Sequence, residues 1–426
     1  MRRRQVLAAG VLAISAGAAG CNNTSLPPPD EQFDRPDDRW PTPGYDPANT
    51  ARPPAGPRDA AESWATTRAI RTLRSGRLSA PVVSGGIVYV ATLAREFFDP
   101  EVDSSHLNAF DAGTGDRAWK AEFPRGLTGC PALAGSAVVV GGRDGTLHAV
   151  RGGETVWSAD LGTAVGTPTV YGDRIYVPDG TGRLYALAGD GDRLWTAERP
   201  GVLEKLFGED EPLAAGVPAA DGSGVYAAFE AFDDDRDALL LAYDHDGNRR
   251  WRRELEALDA RVPAGPTVAD GVVYATAGGT VHAVDAETGD RRWRFVTGYG
   301  TAGPPSTDGD RVYVAAKNLY ALDAAAGTEQ WRVVNDSVAG RVRPDEARSL
   351  PYLARCPVAE GSVYLRAGAV DADTGRRLWG DDADDWLTGS DRRVRPYVEG
   401  RPMSRPAVTA GALYLSHAHR GVVKVA

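Results

Sequence analysis

Asp285-Ala-Glu-Thr-Gly-Asp-Arg-Arg-Trp293 decides the fold, because the chain repeats it. Asp111-Ala-Gly-Thr-Gly-Asp-Arg-Ala-Trp119 and Asp371-Ala-Asp-Thr-Gly-Arg-Arg-Leu-Trp379 are close copies. Looser versions lead to Trp64, Trp157, Trp195, Trp251 and Trp331. Successive tryptophans lie 55, 38, 38, 56, 42, 38 and 48 residues apart. A period of roughly 40 residues, rich in short strand signals, predicts a β-propeller with one blade per repeat.

Each repeat opens on a proline: Pro81, Pro131, Pro168, Pro218, Pro266, Pro305, Pro357 and Pro406. A short apolar strand (a), a Gly-bearing turn and a second strand (b) follow, as in Pro168-Thr-Val-Tyr-Gly-Asp-Arg-Ile-Tyr-Val177. β-Branched residues on both sides of such a turn read as a hairpin. A third strand (c), such as Leu319-Tyr-Ala-Leu-Asp323, leads through an Asp/Thr/Gly turn into the Trp strand (d). In that turn glycine tolerates positive φ, and the Asp and Thr side chains bond the turn backbone. The series begins on a d strand at Trp64 and ends on a c strand at Val422–Val425. The expectation is therefore an all-β, eight-bladed β-propeller of four-stranded antiparallel blades, its ring closed by the N-terminal strand so that no central sheet edge is left open.

The Ala-x-Asp-x-x-Thr-Gly-x-x-x-Trp core at Ala109–Trp119, Ala283–Trp293 and Ala369–Trp379 resembles the pyrroloquinoline-quinone (PQQ)-like repeat of the quinoprotein alcohol dehydrogenase-like superfamily. The resemblance covers residues 61–426 and extends to the outer-membrane assembly factor B type of propeller. It implies that all eight tryptophans are structural, each docking between neighbouring blades. It also raises PQQ-dependent alcohol oxidation beside a calcium ion. This chain has no adjacent Cys pair and no Cys-x-x-Cys-His, and no calcium triad or catalytic Asp can be aligned. No catalytic residue is assigned, and PQQ with calcium stands only as the alternative.

Residues 1–20 read as an export signal: Met1-Arg-Arg-Arg-Gln-Val-Leu7 is a basic, twin-arginine-like start, followed by an apolar run ending in Ala18-Ala-Gly-Cys21. The apolar run is too short and Gly-rich for a membrane span. Cys21 in that context marks a lipoprotein N-terminus and predicts anchoring to the outer face of the cytoplasmic membrane. Residues 21–60 are rich in Pro, Asp, Asn and Gly and are expected to be an extended tether, with Trp40 and Tyr45 clipping onto the propeller flank. The formal charge is −10, and Arg outnumbers Lys about tenfold. That composition fits a halophilic, haloarchaeal-type source and argues against nucleic acid as a partner. Cys130 and Cys356 precede opening prolines of non-adjacent blades, so two free buried thiols are expected.

The long insertions fall at 93–106, 199–216, 229–240, 333–356 and 380–405, all in b–c or d–a connections, which share one face. Elaborate loops on a rigid scaffold are where binding resides. In blades 7 and 8 they carry Arg341, Arg343, Arg348, Arg355, Arg392, Arg393, Arg395 and Arg405 with Trp386 and Tyr397. Guanidinium groups suit carboxylate or phosphate, so this rim is the candidate binding site. Blade 4 instead offers Glu209, Asp210, Glu211, Asp233, Asp234 and Asp235. His417-Ala-His419 is a weak metal signal, and Asp244-x-Asp246-Gly247 and Asp371-x-Asp373 read as c–d turns. His148 and His282 share a strand-c position with Tyr185 and Tyr320, which reads as a surface slot. The expected function is a monomeric, membrane-tethered extracytoplasmic scaffold for a protein or acidic peptide. The alternatives are a quinoprotein oxidoreductase and a binder of an anionic small molecule or glycan.

Overall fold

The computed structural model describes residues 40–57, 62–66, 77–93, 105–198, 216–230, 238–257, 263–298, 302–334, 355–365, 368–380, 406–417 and 421–426. They form eight antiparallel sheets, one per repeat. The inner a strands are Val82–Ser84, Ala132–Ala134, Thr169–Tyr171, Ala219–Asp221, Pro263–Ala269, Ser306–Thr307, Val358–Ala359 and Ala407–Thr409. In every blade the order runs a, b, c, d from the centre outward. Blade 1 alone has a fifth strand, Arg77–Leu78, which extends its inner edge along the b strand Ile87–Leu93.

Blade 8 takes its d strand from the other end of the chain. Glu62–Ala65 pairs antiparallel with Gly421–Val425, with Trp64 opposite Lys424. Thr66 tightens the closure: its amide donates to Val422 O at 2.9 Å, and its Oγ1 accepts from Val422 N at 2.8 Å.

The tryptophans make the joints between blades. The Trp293 ring packs on Tyr274 of its own blade, with centroids 5.8 Å apart. Its Nε1 donates to Ala324 O of the next blade at 2.9 Å. Gly327 of that next blade lies against the ring with φ 70°, and a Cβ there would come within 2.4 Å of Trp293. Only glycine fits both the conformation and the contact. Trp64, Trp157, Trp195, Trp251 and Trp331 donate to the next blade in the same way, at 2.9–3.2 Å. In each c–d pair the register slips at the residue before the Trp, as between Ala186 and Leu187 opposite Leu194. Such a bulge re-aims the side chain that follows. It also explains the exposed apolar residues Val156, Leu194 and Leu378, which are the bulge residues themselves.

Candidate functional site

The a strands are the inner edges of the sheets and face the ring axis, where strand ends of adjacent blades meet. An inner edge carries backbone N–H groups that need acceptors. Residues 40–51 supply them. Trp40 exchanges two 2.8 Å hydrogen bonds with Val83 of blade 1. Pro41 O accepts from Leu133 of blade 2, Pro47 O from Ala220 of blade 4 and Ala48 O from Val268 of blade 5. Thr50 O accepts from Thr307 of blade 6, and Ala51 O from Val358 of blade 7. Within twelve residues the segment runs round the axis and touches six blades. Its course demands left-handed backbone at Tyr45, Asn49 and Ala51, with φ of 75°, 60° and 55°. Trp40 is 1% exposed and Ala51 is fully buried.

The expectation for this stretch therefore needs correcting. Trp40 and Tyr45 pack in the central opening, not on the flank, and from Trp40 onward the expected tether is part of the folded ring. The cause is the matching of loop carbonyls to the a-strand amides.

A belt of side-chain bonds lies beside this segment. Thr169 Oγ1 donates to Pro218 O at 2.6 Å, joining blades 3 and 4. Thr267 Oγ1 donates to Pro305 O at 2.7 Å, joining blades 5 and 6, and Ser306 Oγ to Cys356 O at 2.5 Å, joining blades 6 and 7. Blade 4 has Ala219 at the matching position, opposite its b-strand tyrosine. There the Asn49 Nδ2 bridges instead, to Pro218 O at 2.8 Å and Pro266 O at 3.1 Å. Arg355, only 2% exposed, reaches into the same cluster. Its guanidinium donates to the carbonyls of Asn49, Pro305, Gly265 and Pro266 and to Thr267 Oγ1.

A family model described as outer membrane protein assembly factor BamB matches residues 103–235 and 236–383, more than half of the chain. The chain belongs to the BamB family of PQQ-like repeat propellers. BamB of Bordetella pertussis is 30% identical over 145 residues, which is 33% of this chain and 32% of that protein. The match thus spans about a third of the relative's length. Among solved structures, BamB from Moraxella catarrhalis aligns with a TM-score of 0.54 at 17% identity, over 82% of this chain and 95% of that one. A europium-containing methanol dehydrogenase aligns with a TM-score of 0.66 at 14% identity, over 91% of each chain. At such identities these two likenesses carry the fold.

In the described ring centre of this BamB-family chain a guanidinium lies among the inward-facing carbonyls. Calcium needs several oxygen ligands, carboxylates above all. Among the described residues no group of three His, Cys, Asp or Glu could hold a metal ion. The inward-facing carbonyls of Gly265, Pro266, Pro305 and Asn49 already accept from a guanidinium, which would repel a second cation.

Of the candidate rim, only Arg355 lies in the described part, and it is turned into the ring. Arg341, Arg343, Arg348, Trp386, Arg392, Arg393, Arg395, Tyr397 and Arg405 lie outside the described residues, as do Cys21, His419 and the blade 4 acids Glu209, Asp210, Glu211, Asp233, Asp234 and Asp235. Cys130 and Cys356 are not joined in a disulfide; Cys356 is buried and Cys130 half-buried. The Asp244 carboxylate accepts from Asp246 N and Asn248 N, as a c–d turn requires.

The strand-c slot is not a surface position. His282 is 1% exposed, and Tyr185 and Tyr320 are 2% exposed. Each reaches back to the connection leaving the previous blade. Tyr185 Oη donates to Leu161 O at 3.0 Å, Tyr320 Oη to Thr297 O at 2.9 Å, and His282 Nε2 pairs with Glu256 O at 3.0 Å. A bond to a carbonyl from Nε2 assigns the proton to that nitrogen. Burial pushes the His282 pKa down to about 4. In blades 3, 5 and 6 the slot pins the start of the preceding d–a connection.

Proposed function

We propose that this protein is a non-catalytic scaffold, exported and held at the outer face of the cytoplasmic membrane by lipid on Cys21. It docks an extracytoplasmic protein or acidic peptide on the loop face, at the arginine-rich rim of blades 7 and 8. One observation supports this reading above the others: the ring centre is filled by the chain's own residues 40–51 and by Arg355. This favours binding at the periphery, where the loops are long and charged in sequence. The family's description as an outer-membrane protein assembly factor lends the scaffold idea and no more. The Lys-poor, acidic composition suits work in high salt.

The test is recovery of a partner from native membranes with the wild type and with the Arg392→Ala/Arg393→Ala/Arg395→Ala variant. The variant should fold normally and recover the partner several-fold less well. Unchanged recovery overturns the rim assignment. A quinone absorbance band with bound calcium after incubation with PQQ and calcium would overturn the non-catalytic reading.

A further inference from the structure

Outer d strands are open sheet edges, and natural proteins blunt such edges with a charge or two. The other six d strands carry only five cationic groups between them, Arg117, Lys120, Arg193, Arg332 and Arg377. Blades 4 and 5 are different. The strand Arg249–Leu255 holds Arg249, Arg250, Arg252 and Arg253, and its neighbour Arg291–Val296 holds Arg291, Arg292 and Arg294. These two strands thus carry more cationic groups than the other six combined, in a chain of net charge −10.

Four carboxylates pair with five of these seven guanidinium groups. Glu256 is shared between Arg291 and Arg294. Glu254 faces Arg252, Asp290 faces Arg253, and Asp285 faces Arg292. Arg250 Nη1 donates to Ser223 O at 2.8 Å. Arg249 is exposed, and its side chain makes no ion pair among the described residues. Exposed pairs of this kind hold weakly and exchange partners readily. Between the two blades a cleft of about 400 Å³ opens, lined by Arg253, Leu255, Glu256, His282, Asp290 and Arg291. Val296, 43% exposed, adds an apolar contact at the end of the blade 5 strand.

We propose that the outer flank of blades 4 and 5 is a docking surface for an extended acidic segment of a partner protein. An extended chain can pair with an open strand edge through its backbone while its side chains confer specificity. Carboxylates on such a segment would meet the excess guanidinium charge, and one side chain would enter the cleft. The inference rests on the scaffold reading in taking a protein as occupant, but not on the blade 7–blade 8 rim.

The probe is a fluorescein-labelled decaglutamate peptide, followed by anisotropy at low salt on the full chain. The wild type should bind it, and added salt should weaken binding. The Arg249→Glu/Arg252→Glu/Arg294→Glu variant changes only exposed side chains and should bind about tenfold more weakly. The Arg117→Glu/Lys120→Glu variant on blade 1 should bind as the wild type does. Equal binding by the flank variant, or an equal loss in the blade 1 variant, overturns the proposal. Binding to phosphatidylcholine–phosphatidylglycerol vesicles but not to the peptide overturns it in favour of a lipid surface. If flank-dependent peptide binding stands while native membranes yield no partner, the scaffold reading fails and the flank assignment does not.

Discussion

The Asn49 carboxamide spans the gap that Ala219 leaves between blades 4 and 5. Elsewhere in the belt a hydroxyl on the a strand itself makes the bridge, from Thr169, Thr267 and Ser306. At Ala219 the bridge comes from a residue about 170 positions upstream, through bonds to Pro218 O and Pro266 O. The pair therefore makes a testable exchange. Asn49→Ala should cost about 1–2 kcal/mol, because the buried carbonyls of Pro218 and Pro266 each lose one of two donors. Ala219→Ser in that background should recover part of the loss, and in the wild type should gain little. Urea denaturation of the four proteins measures the coupling directly.

Gly327 and Gly271 both hold left-handed backbone, with φ of 70° and 71°. A Cβ on Gly271 would meet nothing within 4 Å, whereas one on Gly327 would strike Trp293. Gly271→Ala should therefore cost only the conformational penalty, about 1–2 kcal/mol. Gly327→Ala should cost about 2 kcal/mol more, as the Trp293 joint opens. Unfolding midpoints, together with Trp emission, separate the two terms.

His282 gives the fold an acid sensitivity. Its folded pKa is depressed to about 4, so the unfolded chain takes up the proton first as pH falls. The stability that neutral His282 allows is present above the unfolded value near 6.5 and is lost between there and pH 4. The loss amounts to about 3 kcal/mol. His282→Tyr should keep the tether to Glu256 O, since Tyr185 and Tyr320 fill the same slot. It should also flatten the decline over that pH window in thermal melts.

The repeat architecture was legible because its signals are local. A Trp, in seven of the eight repeats a Gly four residues earlier, and an opening proline mark each blade without reference to the rest of the chain. The filling of the ring centre was not legible. Residues 40–51 have the Pro, Asp and Asn content of an unstructured linker, and they bind through main-chain carbonyls, which leave little trace in the residue types. Arg355 was misplaced for a related reason: it ends a long polar insertion, and nothing nearby distinguishes an arginine facing water from one facing carbonyls. The strand-c histidines were read as exposed because polar residues on alternate positions resemble a solvent face, whereas their partners belong to the previous blade.

Cys21→Ser should release the protein into the medium or block its processing. Membrane fractionation and intact mass decide the matter. A variant that stays membrane-bound at the normal processed size would place the anchor elsewhere.

Deleting residues 1–66 should unfold the chain or drive it into aggregates. It removes the strand that covers Gly421–Val425 as well as the segment bonded to six inner edges. Sedimentation and far-ultraviolet circular dichroism report both outcomes.

The order of synthesis gives the filled centre a kinetic meaning. A chain emerging from its N-terminus makes its hub first and its spokes afterwards. The hub can be gripped only as each spoke arrives, and Arg355 lies 306 residues beyond the Asn49 carbonyl it holds. The last bond of the closure, from Val422 to Thr66, spans 356 residues. Contacts of such long range are slow to form and expose unpaired edges in the interval. Individual blades should therefore add little protection until the final strand is in place, and the ring should acquire its resistance to proteolysis in one late step.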